Sequence, residues 1–327
     1  MEKVKFALPK GHLAEATFEI LERAGYVISG RERTYRPTIN DARVDLKIIR
    51  PQEIPIFVSN GLQDVGITGA DWVRETHADL EVLLNLEYSK VQLVMAVPKT
   101  WAEINSLSEL LEEFSHEGKS LRISTEYLNL STECLKSDTV YRDLYGDADP
   151  VLVTPWFRKG ENEKVAIYLS FGATEAKPPE NADAIIELVE TGTSLEQNNL
   201  KAIETVMEST AVLIANKKAL RDHAKRESIY DIMTLLKGVV DGRKKLHIFV
   251  NVSKERLQEL LSLLPALKGP TIAPLSNKDW YSVNTVIEKE RFLELIPTLR
   301  RLAQGLVVYE PRQVLSLDNA RPGEQES

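Results

Sequence analysis

The sequence predicts an α/β chain of two successive β/α lobes followed by a small βαββαβ domain, and three observations carry that expectation. Strand-like and helix-like hydrophobic patterns alternate through the first part of the chain, the signature of a largely parallel sheet. A charged amphipathic helical stretch from Leu220 to Lys237 then interrupts the alternation. After it the order of patterns becomes strand, helix, strand, strand, helix, strand, which is the ferredoxin-like arrangement.

The elements follow in order. "KVKFAL" reads as a buried strand, and the next helix places Leu13, Ala16, Thr17, Ile20, Leu21 and Ala24 on one face, with Gly25 as its C-terminal cap. "RVDLKIIR" is a strand, "PQEIPIFVSNG" a short helix with Pro51 near its start, and "DVGITG" a strand ending in glycine. A second series holds "VQLVMAVP", the serine-capped helix "SLSELLEEFS", "SLRIST", "KVAIYLSFG" and "DAIIELV". "IETVM" and "AVLIANK" are expected to return the chain to the first lobe. Gly238 and "DGRKK" mark a boundary, after which "LHIFVNV", "SKERLQELLSLL", "PTIAPL", "WYSVNTVI", "EKERFLELIPTLRRLA" and "GLVVYEP" build the last domain. The resulting division is 1–95 for lobe I with a return at 203–220, 96–202 for lobe II, 221–243 for a linking helix, 244–312 for the C-terminal domain and 313–327 for a polar tail.

Composition narrows the functional classes. With 327 residues, 43% of them hydrophobic, the chain can bury a large core. A formal charge of −8 argues against nucleic acid or an anionic membrane surface as the main partner. The apolar run at the N-terminus is too short for a secretory signal, and none is long enough to span a bilayer. The single cysteine, Cys134, excludes an intramolecular disulfide, so the expectation is a soluble protein of a reducing compartment, the cytoplasm. The five histidines show no metal-ligand spacing, and no G-x-S-x-G stretch marks a hydrolase nucleophile.

The richest stretch is "ADAIIELVETGTSLEQNN", Ala182 to Asn199. A strand delivers a turn at Thr191, Gly192 and Thr193, and Ser194 with Gln197 three residues later forms a capping-box pattern for a new helix. Free backbone N–H groups, hydroxyls and a glycine that admits an oxyanion suit a phosphate monoester. The spacing is not that of a Walker A loop, and it also fits an ordinary capped turn. Asp183 and Glu187 ahead of it are placed to accept hydrogen bonds from ribose hydroxyls or to share a magnesium ion with a pyrophosphate. In "ALPKGHL", Lys10 and Gly11 precede a helix, and Arg33, Arg36 and Arg50 add positive charge to the same region. "GITGADW" contributes Gly69 and Asp71, "RISTEYLNLS" Thr125, Glu126, Tyr127 and Asn129, and "FGATEAKP" Glu175.

Taken together and in order, "LPKGHLAEATFEILERAGY", "VDLKIIRPQEIP", "DVGITGADWV", "ISTEYLNLS", "GATEAKP", "ADAIIELVETGTSL" and "ERLQELLSLLPALKGPTIAPL" resemble the ATP phosphoribosyltransferases of the long, histidine-regulated form. The resemblance implies a two-lobed catalytic region like that of periplasmic binding proteins and an ACT-like C-terminal domain. It implies transfer of the phosphoribosyl group of phosphoribosyl pyrophosphate to N1 of ATP, the first step of histidine biosynthesis, with Mg2+ present. It assigns Thr191, Gly192, Thr193 and Ser194 to the sugar phosphate, Asp183, Glu187 and Glu175 to catalysis, and Asp183 with Glu187 to a metal. Lys10, Gly11, Arg33, Arg50, Gly69 and Asp71 fall to ATP. It further implies inhibition by histidine at the C-terminal domain and assembly as dimers and hexamers.

Departures from the family pattern are His12 in place of arginine, Glu187 for aspartate, Ser194 for threonine, Leu128 for proline, and a longer segment at 137–163 without an assigned role. Electrostatic and positional catalysis accounts for the lack of a covalent nucleophile, because displacement at an anomeric carbon requires two polyanions held in line. The same architecture would serve a phosphoribosyltransferase for another nucleobase or a two-lobed binding protein without catalysis.

Overall fold

The structure, a computed structural model, describes residues 2–31, 34–264, 269–315 and 317. The chain opens with β1 (Val4–Pro9), α1 (Ala14–Arg23), a short ribbon of β2 (Ile28–Ser29) and β3 (Thr38–Ile39), β4 (Val44–Ile49), α2 (Ile54–Ser59), β5 (Val65–Gly69), α3 (Ala70–Glu75) and β6 (Glu81–Asn85). The second run holds β7 (Val91–Pro98), α4 (Leu107–His116), β8 (Leu121–Thr125), α5 (Leu128–Ser137), α6 (Thr139–Tyr145), β9 (Pro150–Val153), β10 (Arg158–Lys159), β11 (Asn162–Leu169), β12 (Ala184–Val189), α7 (Thr193–Gln197) and β13 (Leu200–Ser209). After β14 (Ala211–Ala215) come the long helix α8 (His223–Arg243) and then β15 (Lys245–Ser253), α9 (Leu257–Leu263), β16 (Thr271–Pro274), β17 (Trp280–Glu288), α10 (Phe292–Leu302) and β18 (Ala303–Tyr309).

Two compact units result. One holds Lys5–Ala16 and Lys47–Ala219; the other holds Thr17–Leu46 with the described residues up to Val4 and from Leu220 onward.

The first unit contains two sheets. In lobe I the strand order is β4-β1-β5-β14-β6, with β1 and β5 parallel and β14 antiparallel to both of its neighbours. In lobe II the order is β10-β9-β11-β8-β12-β7-β13, and the four strands β9, β11, β8 and β12 run parallel. Its core is a continuous apolar cluster around Leu93, Met95, Leu110, Ile123, Ile167 and Ile186. Helix α4 forms where expected because Ser106 accepts a hydrogen bond from the Glu109 backbone N–H at 3.2 Å while Leu107, Leu110, Leu111 and Phe114 face that cluster.

The return to lobe I differs from the expected 203–220. "IETVM" stays in lobe II, paired antiparallel to β7 throughout β13, and the crossing falls at Thr210, immediately before β14 enters the lobe I sheet. Paired edge strands extend a sheet as far as their apolar register allows, and Met207 still faces Leu93.

The segment 137–163 forms α6 and the hairpin of β9 and β10, which adds two strands to the lobe II edge. Its turn leaves Trp156 73% exposed, and that ring meets the exposed Phe171 edge-on at 6.0 Å between centroids.

The second unit carries the βαββαβ module, a four-stranded antiparallel sheet of order β16-β17-β15-β18. Leu246, Ile248, Val250 and Val252 alternate along β15 to pack with Leu260, Leu295 and Leu299. Gly238, expected to end α8, lies inside it. A Cβ there would come within 2.2 Å of Leu315, and one at Gly242 within 3.1 Å of the Gln313 backbone, so these glycines let the C-terminal segment cross the helix. Val314 donates its N–H to the Gly238 carbonyl at 2.8 Å. Residues 17–46, expected in lobe I, group with this unit, within which Arg43 pairs with Asp231 at 2.7 Å. Among the described residues no helix is long and apolar enough to cross a membrane.

Candidate active site

Strand direction decides which residues can meet. In lobe II, β8, β11 and β12 are parallel and aligned, with Thr125 opposite both Leu169 and Ile186. The loops that follow them therefore open at one edge of the sheet, where open α/β sheets hold ligands. That edge gathers Glu126 and Tyr127 after β8, the turn from Ser170 to Lys177 after β11, and Glu187 to Ser194 at the end of β12.

The loop after β12 turns at Gly192, whose φ of +78° is a left-handed conformation that side chains disfavour. No atom lies within 4 Å of where a Cβ would sit, so an oxyanion can approach this backbone. Thr191 and Thr193 are exposed, their hydroxyls 3.0 Å apart. Ser194 lies inside α7, because Gly192 occupies the N-cap position, and the expected capping box does not form.

Glu187 is half-buried. Its carboxylate accepts from the Leu188 N–H at 3.0 Å and bonds the Thr174 hydroxyl. Burial raises its pKa above the usual carboxylate range, and the nearby charges of Glu126 and Glu175 add to the rise. Three acids thus share one mouth, Glu126 receiving the Gln52 amide of lobe I at 3.4 Å. Lys177 enters the same place. Its ammonium donates to the hydroxyls of Ser124, at 3.1 Å, and of Ser170, and burial lowers its pKa.

Asp183 is a correction. It precedes β12 at the other edge of the sheet, roughly 13 Å of extended chain from Glu187 at ~3.3 Å per residue. Its carboxylate is held by Arg122, whose Nη2, Nε and backbone N–H donate at 2.8, 3.0 and 2.8 Å. A side chain so placed and so bonded does not reach a sugar on the far edge. The expected metal pair of Asp183 and Glu187 fails for the same reason, and no group of three or more acids, histidines or cysteines among the described residues is arranged to hold an ion.

Gly69 and Asp71, expected to bind ATP, are also corrected. Asp71 is 2% exposed; one of its carboxylate oxygens accepts the Tyr127 hydroxyl at 2.7 Å and the other that of Ser209. Gly69 is buried beside it, where a Cβ would fall 2.1 Å from Asp71 Oδ1. Burial, reinforced by the charge of Asp71, raises the Tyr127 phenol well above its usual pKa, so it remains a donor. One turn on, Glu75 caps α5 by accepting the N–H groups of Asn129 and Leu130 at 3.0 and 2.9 Å. Helix α3 therefore bolts lobe I to lobe II.

Lys10, Gly11 and Arg50 come together. The Lys10 N–H donates to the Ile49 carbonyl at 2.8 Å, which sets the end of β1 beside the end of β4 at the edge of lobe I. Arg33 lies outside the described residues.

Sequence reasoning missed Lys177, Ser170 and Thr174. A lysine after a glycine turn carries no signal of its own, because its partner Ser124 stands 53 positions earlier.

The profile of the ATP phosphoribosyltransferase family matches residues 50–238, and that of the family's C-terminal domain matches 242–312. The chain is 35% identical to an ATP phosphoribosyltransferase of Pelotomaculum thermopropionicum over 96% of its own length and 99% of that protein's. The chain belongs to the ATP phosphoribosyltransferase family. A second relative of the same name, from Thermodesulfovibrio yellowstonii, is 36% identical over 95% of this chain and 98% of its own. Among solved structures, the ATP phosphoribosyl transferase (HisG:HisZ) complex from Thermotoga maritima superposes with a TM-score of 0.55 at 21% identity, covering 73% of this chain and 98% of that one, and shares the fold. Membership makes the chain a pentosyltransferase that transfers a phosphoribosyl group to ATP in the first step of histidine biosynthesis.

Proposed function

We propose that phosphoribosyl pyrophosphate lies along the C-terminal edge of the lobe II sheet, with its 5-phosphate on Thr191, Gly192, Thr193 and Ser194. The observation that supports this is the convergence of three sequence-distant loops at the ends of β8, β11 and β12, an open glycine turn at one of them and a half-buried glutamate beside it. Glu187 accepts from the ribose hydroxyls, with Glu175 nearby. Lys10, Gly11 and Arg50, at the matching edge of lobe I, receive the ATP phosphates.

The reaction then needs orientation more than a covalent partner. The C1–O bond breaks with its electron pair leaving on pyrophosphate, and the adenine N1 lone pair forms the new C1–N bond. Holding both anions in line supplies effective concentration, and fixed donors around the phosphates stabilise the charge that gathers on the leaving group. Mg2+ suits this chemistry as a counter-ion carried by the substrate phosphates. Among the described residues no group of three or more acids, histidines or cysteines is arranged to hold it.

The C-terminal βαββαβ module serves as the histidine sensor in this reading, and the chain works in the cytoplasm as a homo-oligomer, a dimer or hexamer. Thr191→Ala combined with Thr193→Ala tests the sugar-phosphate site. Affinity for phosphoribosyl pyrophosphate falls about tenfold or more with the melting temperature held, through loss of two hydrogen bonds to a charged group; unchanged affinity removes the loop from the site. Histidine added to the turning-over enzyme suppresses phosphoribosyl-ATP formation, and undiminished turnover at saturating histidine rejects the sensor.

A further inference from the structure

After β11 the chain turns through Gly172 and Ala173, whose φ values of +110° and +49° are both left-handed, then through a single short turn at Thr174–Ala176, and so brings Lys177 back across the ends of β8 and β11. The ammonium is pinned there by two hydroxyls, each from a 2% exposed serine: Ser124 Oγ at 3.1 Å and Ser170 Oγ. Ser170 Oγ is itself fixed by Thr174 Oγ1 at 2.8 Å. Two of the three ammonium hydrogens are thereby directed, and the third is left for another acceptor. The charges of Glu187 and Glu126 act on the ammonium, yet it is held by hydroxyls and not by an ion pair with either.

Partial burial without a bonded counter-ion is unfavourable for an ammonium. An anion from outside would complete the site. The order of groups along the edge indicates which anion it is. The phosphate loop follows β12, Glu187 lies in the second half of that strand, Glu126 follows the adjacent β8, and the ammonium sits between β8 and the next strand, β11. With strands ~4.8 Å apart, the ammonium stands on the order of 5–10 Å from β12. A sugar with a monophosphate at C5 and a diphosphate at C1 spans such a row, its diphosphate end directed away from the loop.

We propose that Lys177 binds the diphosphate of phosphoribosyl pyrophosphate and neutralises it as it departs. The inference rests on the placement of the 5-phosphate at Thr191 to Ser194 given above. The C1–O bond breaks with its electrons on the diphosphate, which leaves as an anion. Lys177 gives up no proton, and the adenine amino group releases one to solvent after the C1–N bond has formed.

Inorganic pyrophosphate and ribose 5-phosphate, each titrated calorimetrically into the full chain, separate the two ends of the donor. Lys177→Met is expected to weaken pyrophosphate about tenfold or more, as losing a charge-assisted hydrogen bond does, and to lower kcat/KM for phosphoribosyl pyrophosphate in parallel. Ribose 5-phosphate affinity and the KM for ATP stay within about twofold, below the size of one such bond. Lys177→Gln, which keeps a donor for the two serines, carries the same expectation should the methionine variant fold poorly, and Lys177→Arg recovers part of the loss. Equal pyrophosphate affinity in folded wild type and Lys177→Gln overturns the proposal, as does an equal loss of ribose 5-phosphate. Ribose 5-phosphate binding that ignores Thr191→Ala with Thr193→Ala instead overturns the placement of the 5-phosphate.

Discussion

Asp183 and Glu187 stand at opposite ends of the same strand, four positions apart, and the fold gives them opposite chemistry. Asp183, just before β12, is met by the fork of Arg122 on the neighbouring strand and accepts three short, charge-assisted bonds from that residue. Glu187, at the C-terminal end, has a hydroxyl and one backbone N–H for partners, other carboxylates nearby, and a raised pKa. One acid is paired within the protein; the other, in the function proposed above, takes a ligand. In a parallel sheet the distinction follows from geometry, because the loops that carry function collect at the carboxyl ends of the strands.

The comparison is broken most sharply by removing the charge at the ligand end. Glu187→Gln keeps the shape and the Thr174 partner but loses the carboxylate, and kcat/KM for phosphoribosyl pyrophosphate is expected to fall about a hundredfold through lost transition-state stabilisation. Steady-state kinetics checks this, and activity within a few-fold of wild type would return Glu187 to a structural role.

The reciprocal change, Asp183→Ala, strands Arg122. Because that guanidinium keeps 37% of its surface exposed, the expected loss is about 2 kcal/mol, below the range for a fully buried pair. Chemical denaturation measures it, and phosphoribosyl pyrophosphate affinity remains unchanged. A variant of wild-type stability that no longer binds the donor would reverse the assignment of the two acids.

The smallest effect is one of pH. Burial raises the folded-state pKa of Glu187, so the native chain binds that proton more tightly than the unfolded chain does. The resulting destabilisation is full above the raised pKa and fades as pH falls through it toward the ordinary value of about 4.3. Glu187→Gln is therefore the more stable protein at pH 8, by about 1 kcal/mol or less, and the difference shrinks on acidification to about pH 4. Thermal melts across that range follow it. A gap that widens on acidification contradicts a raised carboxyl.

Much of the architecture was legible because it is written in local periodicity. Helix α4 begins at its serine cap, and the alternation "LHIFVNV" puts Leu246, Ile248, Val250 and Val252 on one face of β15. The order of elements after α8 follows from pattern alone. Where local signals misled, a distant packing partner overrode them. Gly238 reads as a helix stop but sits mid-helix beneath Leu315, and the segment 137–163, silent in sequence, adds β9 and β10 to an existing sheet edge.

The candidate site divides along the same line. Residue type and position after a strand single out the turn from Thr191 to Thr193, Glu187, Lys10 and Arg50, and the fold sets each of them near the carboxyl end of a strand. Asp183 and Asp71 were not, because an acid beside a motif looks the same whether it meets a ligand or a neighbour.

The sequence by itself determined the class of fold, the order of its elements, the family and the phosphate-suited turn, since each rests on short-range spacing or on the whole ordered set of motifs. Only the tertiary structure decided that Asp183 belongs to Arg122, that Asp71 bolts Tyr127 and Ser209 to lobe I, and that Lys177 lies against Ser124 and Ser170. Each of these depends on which end of which strand faces which. Hydrogen bonds act over about 3 Å, whatever the separation along the chain.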